Sequence, residues 1–246
     1  WQIFQKKSES EIQSALNSNM KRNEGYASEN AMAQAGAGSN PDKIIALAST
    51  GKINPNSVAV DNALKMKGLD EVNDRQQLQS YLATSGQGLD PSQLPWCANF
   101  VNASLAQAGI KGSESNAAGS FNTYGKGVTD PSAVQKGDIV VNQKTSGSTG
   151  MLGSHVYMAT GAAYQNKQGK WVVDVVSGNT GPGARQRTVD TATVEVDKHT
   201  IRRPTEENYT PELVAALEQN KKETAIKTAA VTPKPAPPVN ALMSGT

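Results

Sequence analysis

The chain contains one cysteine and two histidines, and these three side chains limit the chemistry that the sequence offers. Cys97 follows Pro95 and Trp96 and begins the stretch 97–108, whose apolar spacing predicts a helix. Free backbone N–H groups at the start of a helix favour a thiolate and can donate hydrogen bonds to an oxyanion. A lone cysteine at an apolar helical position is more commonly a small buried hydrophobe, but this position also suits a nucleophile.

A nucleophilic thiol needs a base within hydrogen-bonding distance. His155 begins a predicted strand directly after the Gly/Ser-rich segment 143–154, and catalytic side chains are common at such loop-adjacent positions. His199 lies among charged residues and is expected at the surface. We therefore expect His155 to be the base.

A third polar group is needed to orient the imidazole. If the predicted strands 155–160 and 170–178 form a hairpin, Asn179 returns to the side of His155. Asp174 competes for this role, but its mid-strand position is farther from His155 in this pairing. The conjunction of Cys97, His155 and Asn179 favours catalysis over a separate structural role for each residue.

Composition excludes several classes of protein. The 24 basic and 22 acidic residues give a formal charge of +2, which indicates neither a nucleic-acid partner nor binding to an anionic membrane. No apolar run approaches the length of a membrane span. One cysteine excludes an internal disulfide and a cysteine-cluster zinc site, and the separated histidines form no zinc pattern, so no metal or cofactor is expected.

The polar segments at both ends differ from the middle of the chain. Residues 1–57 are rich in Ser, Asn, Gln and Ala and include a linker-like stretch at 33–43, which predicts a polar, partly helical arm. At the other end, residues 205–246 comprise a predicted helix over 211–230, with Thr210 as its cap, and a Pro-rich tether.

The middle segment, residues 58–204, has the pattern of one folded domain. Helical spacing comes first, at 57–68, 74–86 and 97–108, and β-branched segments follow at 137–142, 155–160, 170–178, 185–189, 193–196 and 199–203. Helices followed by closely spaced strands predict an α+β domain with an antiparallel sheet.

Five segments of this domain occur in an order that resembles a known family: "PWCANFVNASLAQAG", "GDIVV", "GSHVYMATG", "VVSGN" and "IRRP". They resemble the CHAP-type amidohydrolases and peptidases, which belong to the papain-like group and are close to the NlpC-type peptidases. The resemblance covers residues 58–204. It implies a papain-like α+β fold and cleavage of amide bonds in peptidoglycan, either by an N-acetylmuramoyl-L-alanine amidase or by an endopeptidase of stem and cross-bridge peptides.

The matching positions imply a role for each site residue. Cys97 would be the nucleophile, His155 the general base and Asn179 its orienting partner. Trp96 and Ser154, which precede the cysteine and the histidine, are expected to contact the substrate. Many relatives have glycine before the histidine, so Ser154 is a departure from the family pattern. Asp138 in "GDIVV" also matches a family position, where a structural role in a turn is expected.

The flanking segments favour a biological context. A polar arm and a Pro-rich tail are typical of parts inserted into a larger assembly, which favours a virion- or tail-associated phage lysin that opens the host wall during genome entry. Other virion proteins would then be partners of both arms. One alternative is a secreted bacterial wall hydrolase or toxin effector with the same chemistry, and another is a catalytically silent structural virion protein. A papain-like enzyme acting on protein or glutamine is a further alternative.

Overall fold

The computed structural model describes residues 54–142, 154–181 and 187–231. Most of the predicted N-terminal arm with its linker at 33–43, the segment 143–153, and the Pro-rich tether after residue 231 lie outside these ranges. Within the described ranges, no helix combines the length and apolar character that crossing a membrane requires.

Four α-helices are described: α1 (Pro55–Lys65), α2 (Arg75–Ala83), α3 (Cys97–Ala106) and α4 (Pro211–Val231). Their ends follow local sequence signals. The side chain of Asn54 accepts a hydrogen bond from the backbone N–H of Asn56 at the start of α1. Gly109, with φ +74°, follows α3 in the left-handed conformation that glycine favours. Thr210 Oγ1 accepts from the N–H of Leu213 at 3.4 Å, which confirms the predicted cap of α4.

The strands form one antiparallel sheet in the order β1-β7-β2-β3-β5-β4, and β6 also pairs with β5. Because Val175 pairs with both Ala159 and Ala192, β3 and β6 lie on opposite edges of β5. The strands are β1 (Lys126–Gly127), β2 (Ile139–Asn142), β3 (His155–Ala159), β4 (Tyr164–Gln165), β5 (Trp171–Thr180), β6 (Thr188–Glu195) and β7 (His199–Arg203).

The main differences from the sequence prediction lie in β6 and in two short strands. The segments 185–189 and 193–196 were expected as separate strands, but the structure has one strand, β6, over Thr188–Glu195, and residues 185 and 186 lie outside the described ranges. β6 is continuous because β5, which is 10 residues long, also provides backbone partners for Thr191 and Ala192, which lie between the two expected segments. β1 and β4, of 2 residues each, are too short to be recognised from a periodic pattern.

The two faces of the sheet have separate cores because side chains alternate along a strand. The helical face is packed against α1, α2 and α3 and includes Ile139, Val141, Val156, Met158 and Val176. The opposite face carries the alternate positions Val140, Ala159, Val173, Val175 and Ile201. This arrangement of helices on one side of an antiparallel sheet fits the predicted α+β class.

The core extends beyond the boundaries 58–204 expected for the domain. Pro55 is buried at the start of α1, and Asn56 donates a hydrogen bond to the carbonyl of Pro204 at 3.0 Å. On the C-terminal side, Leu213 of α4 is fully buried in the core on the helical face. These contacts link distant positions of the chain, so composition alone did not indicate them.

Candidate active site

Cys97 is the first residue of α3, as the sequence predicts. The nearby backbone N–H groups of Val156, Ala98 and Cys97 itself favour the thiolate and act to lower the pKa of the thiol. The side chain is nevertheless only 5% exposed, and burial raises the pKa of the thiol above its ordinary value. The N–H groups at the helix start lower this pKa, as expected, but desolvation outweighs them and the net shift is upward.

His155 is the first residue of β3, which pairs with β5 as predicted. Met158 lies opposite Val176 in this antiparallel register. The regular pairing of the two strands ends at Met158 and Val176, short of His155 and Asn179. β5 runs to Thr180, so Asn179 is a strand residue rather than a residue beyond the strand.

The imidazole of His155 contacts Ser177, a residue that the sequence analysis did not select. Its Nε2 lies 2.9 Å from Ser177 Oγ, and this hydroxyl also donates to the carbonyl oxygen of Val156 at 2.7 Å. Asn179, the expected partner, is buried, and its Oδ1 has no hydrogen-bond partner among the described residues. A signal for Ser177 was available, since it is the polar residue two positions before Asn179, on the same strand.

Arg187 is a second residue that the sequence analysis did not select. Burial lowers the pKa of His155 to about 4, and the positive charge of Arg187 adds to this effect. The same charge lowers the pKa of Cys97, opposing the larger effect of burial. His155 is therefore neutral at neutral pH, as a general base must be. Nothing in the sequence distinguished Arg187 from the other arginines.

A row of rings continues from His155 across the sheet. The ring centroids of His155 and Tyr157 are 4.5 Å apart, and those of Tyr157 and His199 are 6.1 Å apart. Asn142 of β2 lies opposite His155 on one side and His199 on the other. His199 was expected at the surface, but its pairing with β2 makes it half-buried, with Nδ1 2.6 Å from the carbonyl oxygen of Glu195.

The two residues expected to contact substrate differ in their exposure. Trp96 is fully buried, and its indole N–H donates to the carboxylate of Glu71 at 3.0 Å. It also packs edge-on against Phe100. The structure therefore corrects its role to one in the core, because it has no surface available to a substrate. Ser154 is exposed directly before β3.

The two aspartates considered in the sequence have structural partners. The carboxylate of Asp174 accepts from the hydroxyls of Tyr164 at 3.2 Å and Thr193 at 2.6 Å. Asp138 is buried and forms an ion pair with Arg203 at 2.7 Å. It also accepts from the backbone N–H of Gln135, which fits the turn role expected for it.

Two clefts on the protein do not coincide with this cluster. One, of about 400 Å³, is lined by Asn73, Asp74, Gln76, Gln77 and Ser80. The other, of about 420 Å³, lies between Met66, α2 and the end of α3. Neither is lined by Cys97 or His155, so the chemistry of the side chains, and not the shape of these clefts, identifies the candidate site.

Comparison with known proteins leaves the family open. No family model matches the chain, and neither a curated protein nor a solved structure matches it. The interpretation of the site therefore depends on the motifs and on the geometry of Cys97, His155 and their neighbours.

Proposed function

We propose that the protein is a cysteine amidohydrolase that cleaves an amide bond of peptidoglycan, with Cys97 as nucleophile and His155 as general base. One observation carries the proposal. The backbone N–H of Val156 lies near enough to the sulfur of Cys97 to favour its thiolate, so the thiol lies near the residue that directly follows His155. A thiol at a helix start, packed on an antiparallel sheet, also supports the papain-like fold that the motifs imply.

The pKa shifts of Cys97 and His155 favour an uncharged thiol and an uncharged imidazole before the reaction begins. Burial raises the pKa of the thiol and lowers that of the imidazole, so Cys97 is protonated and His155 is neutral at neutral pH. The thiolate then forms as the proton passes to the imidazole during the reaction. The positive charge of Arg187 and the N–H of Val156 stabilise the sulfur anion at that moment.

The reaction follows from this pair in two halves. The sulfur of Cys97 attacks the amide carbon while its proton passes to His155, and backbone N–H groups at the start of α3 stabilise the oxyanion. His155 then protonates the leaving amine, and an acyl thioester remains on Cys97. His155 next takes a proton from water, whose oxygen attacks the thioester carbon. The acid product leaves, and the proton returns to the sulfur.

The substrate and the context come from the motifs and the flanking segments. The resemblance favours either N-acetylmuramoyl-L-alanine amidase activity or cleavage of stem or cross-bridge peptides. The polar arm at residues 1–57 and the Pro-rich tail favour a virion-associated lysin that acts on the host wall or in the periplasm during genome entry. The same chemistry would serve a secreted wall hydrolase or a toxin effector.

One observation favours a second candidate, a catalytically silent structural protein of the virion. Cys97 is only 5% exposed and its thiol has a raised pKa, as is usual for a cysteine that only fills a core. The buried histidine beside Ser177 is less easily explained in this way, since residues that only fill a core are usually apolar.

Digestion of peptidoglycan by the wild type and by Cys97→Ala, with mass analysis of the released fragments, separates the two candidates. The proposal expects fragments of defined mass from the wild type and none from Cys97→Ala or His155→Gln. His199→Gln is the matched control and should still release them. If a folded wild type releases no product from several wall chemotypes, the structural role replaces the enzymatic one. The fragment masses distinguish an amidase from an endopeptidase.

A further inference from the structure

The hydroxyl of Ser177 lies within hydrogen-bonding distance of three polar atoms but has only one proton to donate. Its Oγ lies 2.7 Å from the carbonyl oxygen of Val156, 3.0 Å from that of Gly178 and 2.9 Å from His155 Nε2. Carbonyl oxygens only accept hydrogen bonds, and a serine hydroxyl has one proton to donate. Because the carbonyl oxygen of Val156 is the closest of the three atoms, the hydroxyl donates its proton to a carbonyl and not to the imidazole.

The direction of the Ser177 proton determines which tautomer of the His155 ring is present. With its proton directed at a carbonyl, Ser177 Oγ faces the imidazole as an acceptor, and the contact with Nε2 requires that Nε2 carries the hydrogen. In a neutral histidine the other nitrogen, Nδ1, then has the free lone pair. A general base needs such a lone pair for the proton of its nucleophile.

We infer that Ser177 is the positioning residue of the site: its hydroxyl accepts the Nε2–H of His155, fixes the tautomer and leaves Nδ1 as the basic nitrogen. This inference rests on the proposed function for its catalytic meaning, but the hydrogen bond and the tautomer stand independently of it. The role is the one that the motif resemblance gives to Asn179, two residues farther along β5.

The position of Ser177 suits this role. It is fully buried, so water does not compete for the ring nitrogen. The next residue, Gly178, lies directly against Trp96 and Phe100, which holds this part of β5 against the start of α3. The β5–β6 pairing shifts register between Ser177 and Thr180, so Ser177 is the last residue before the irregular part of the strand.

Asn179 lies within this irregular part. Its φ of +61° is unusual for a residue other than glycine, and its Oδ1 has no partner among the described residues. Ser177 and Asn179, the two candidates for orienting the His155 ring, can therefore be distinguished by substitution. Ser177 is hydrogen-bonded to the imidazole, and Asn179 is not.

The contact also has a consequence during the proposed reaction. When the ring accepts the thiol proton on Nδ1, it becomes a cation, and the bond from Nε2–H to Ser177 becomes charge-assisted and stronger. Without the hydroxyl, the buried Nε2–H of the cation has no acceptor, which disfavours proton transfer. The loss should therefore appear in kcat rather than in KM.

The experiment compares Ser177→Thr with Ser177→Val, two side chains of nearly equal size of which only threonine keeps the hydroxyl. Nitrogen-15 NMR of the two histidine rings, assigned with His199→Gln, reports the tautomer of His155. We expect the Nε2–H tautomer with a protected ring N–H in the wild type, in Ser177→Thr and in Asn179→Ala. In Ser177→Val this proton should exchange rapidly, and the ring nitrogen shifts should change.

Two NMR results would overturn the inference. One is a wild-type ring protonated on Nδ1. The other is a spectrum in which Asn179→Ala changes the His155 ring and Ser177→Val does not. Both are read from the folded protein without substrate, so they are independent of whether peptidoglycan is cleaved. Thermal unfolding of both Ser177 variants controls for the added methyl group.

The kinetic arm applies once peptidoglycan cleavage is established. Ser177→Val should lower kcat about tenfold with KM unchanged, and Ser177→Thr should retain most of the activity. Equal losses in both variants would reduce Ser177 to a packing residue. A wild type with the expected tautomer but no hydrolytic activity would refute the proposed function while leaving the role of Ser177 toward the ring intact.

Discussion

Gly178 lies so close to Trp96 that no other residue fits between β5 and the start of α3. A Cβ at Gly178 would stand 2.7 Å from Cε3 of Trp96 and 2.8 Å from Cγ of Phe100. The strand that carries Ser177 and Asn179 is thereby held against the helix that begins with Cys97. The close packing of α3 on β5 therefore requires glycine at position 178.

Replacement of Gly178 by alanine should destabilise the protein by about 2 kcal/mol, because the new methyl group meets an indole that is fully buried. Urea unfolding followed by circular dichroism measures the change. Gly161→Ala is the matched control, since a Cβ there meets nothing within 4 Å, and its effect should stay within about 0.5 kcal/mol. Equal effects of the two substitutions would contradict the close packing of β5 on α3.

The buried imidazole of His155 should make stability depend on pH. Its pKa is lowered from 6.5 to about 4, so the unfolded chain binds the proton at a higher pH than the folded protein does. Stability should therefore fall as the pH drops from 6.5 to about 4, and this histidine should account for a loss of about 3 kcal/mol.

Urea unfolding across this pH range tests the contribution of His155. His155→Gln should lose less stability on acidification than the wild type, because its side chain does not titrate. His199→Gln should keep the wild-type dependence. A wild-type slope that persists in His155→Gln would assign the pH dependence to other groups.

The single thiol makes the electrostatics of the site directly measurable by alkylation. The pKa of Cys97 is raised by burial, so its reaction with iodoacetamide should be slow at neutral pH and should accelerate at a higher pH than for a free thiol. Arg187→Gln removes a charge that favours the thiolate, so its rate profile should move to still higher pH. Arg187→Lys keeps the charge and should behave like the wild type.

The same Arg187 variant gives a second readout. The positive charge lowers the pKa of His155, so Arg187→Gln should raise it, as measured by NMR titration of the ring. A change in packing alone gives no reason for both pKa values to rise together. If neither value moves, Arg187 does not act on the site through its charge.

Asp138 is expected to be structural, although its motif accompanies the catalytic motifs. Its buried carboxylate pairs with Arg203, so Asp138→Asn should destabilise the fold by about 3 kcal/mol while the activity of each folded molecule is retained. Asp197→Asn, at an exposed position, is the control and should be nearly neutral. Unfolding by urea and fragment release from peptidoglycan separate the two effects. Loss of activity at unchanged stability would instead assign Asp138 to the reaction.

The sequence by itself determined the elements that carry the candidate site. The apolar spacing over 97–108, ended by Gly109, predicted the helix that begins at Cys97, and the β-branched segments predicted that His155 begins a strand. The pairing of that strand with β5 was also predictable. These features are encoded locally, because the periodicity of a helix or strand and its terminal residues lie within a few positions of one another.

Only the tertiary structure decided which side chains meet. Ser177 instead of Asn179 contacts the His155 ring, because strand register and the close approach of Gly178 to Trp96 determine the height and direction of each side chain. The net direction of the Cys97 pKa shift was decided by the tertiary structure for a related reason. The helix start is visible in the sequence, but burial depends on elements that are distant in the chain and close in space.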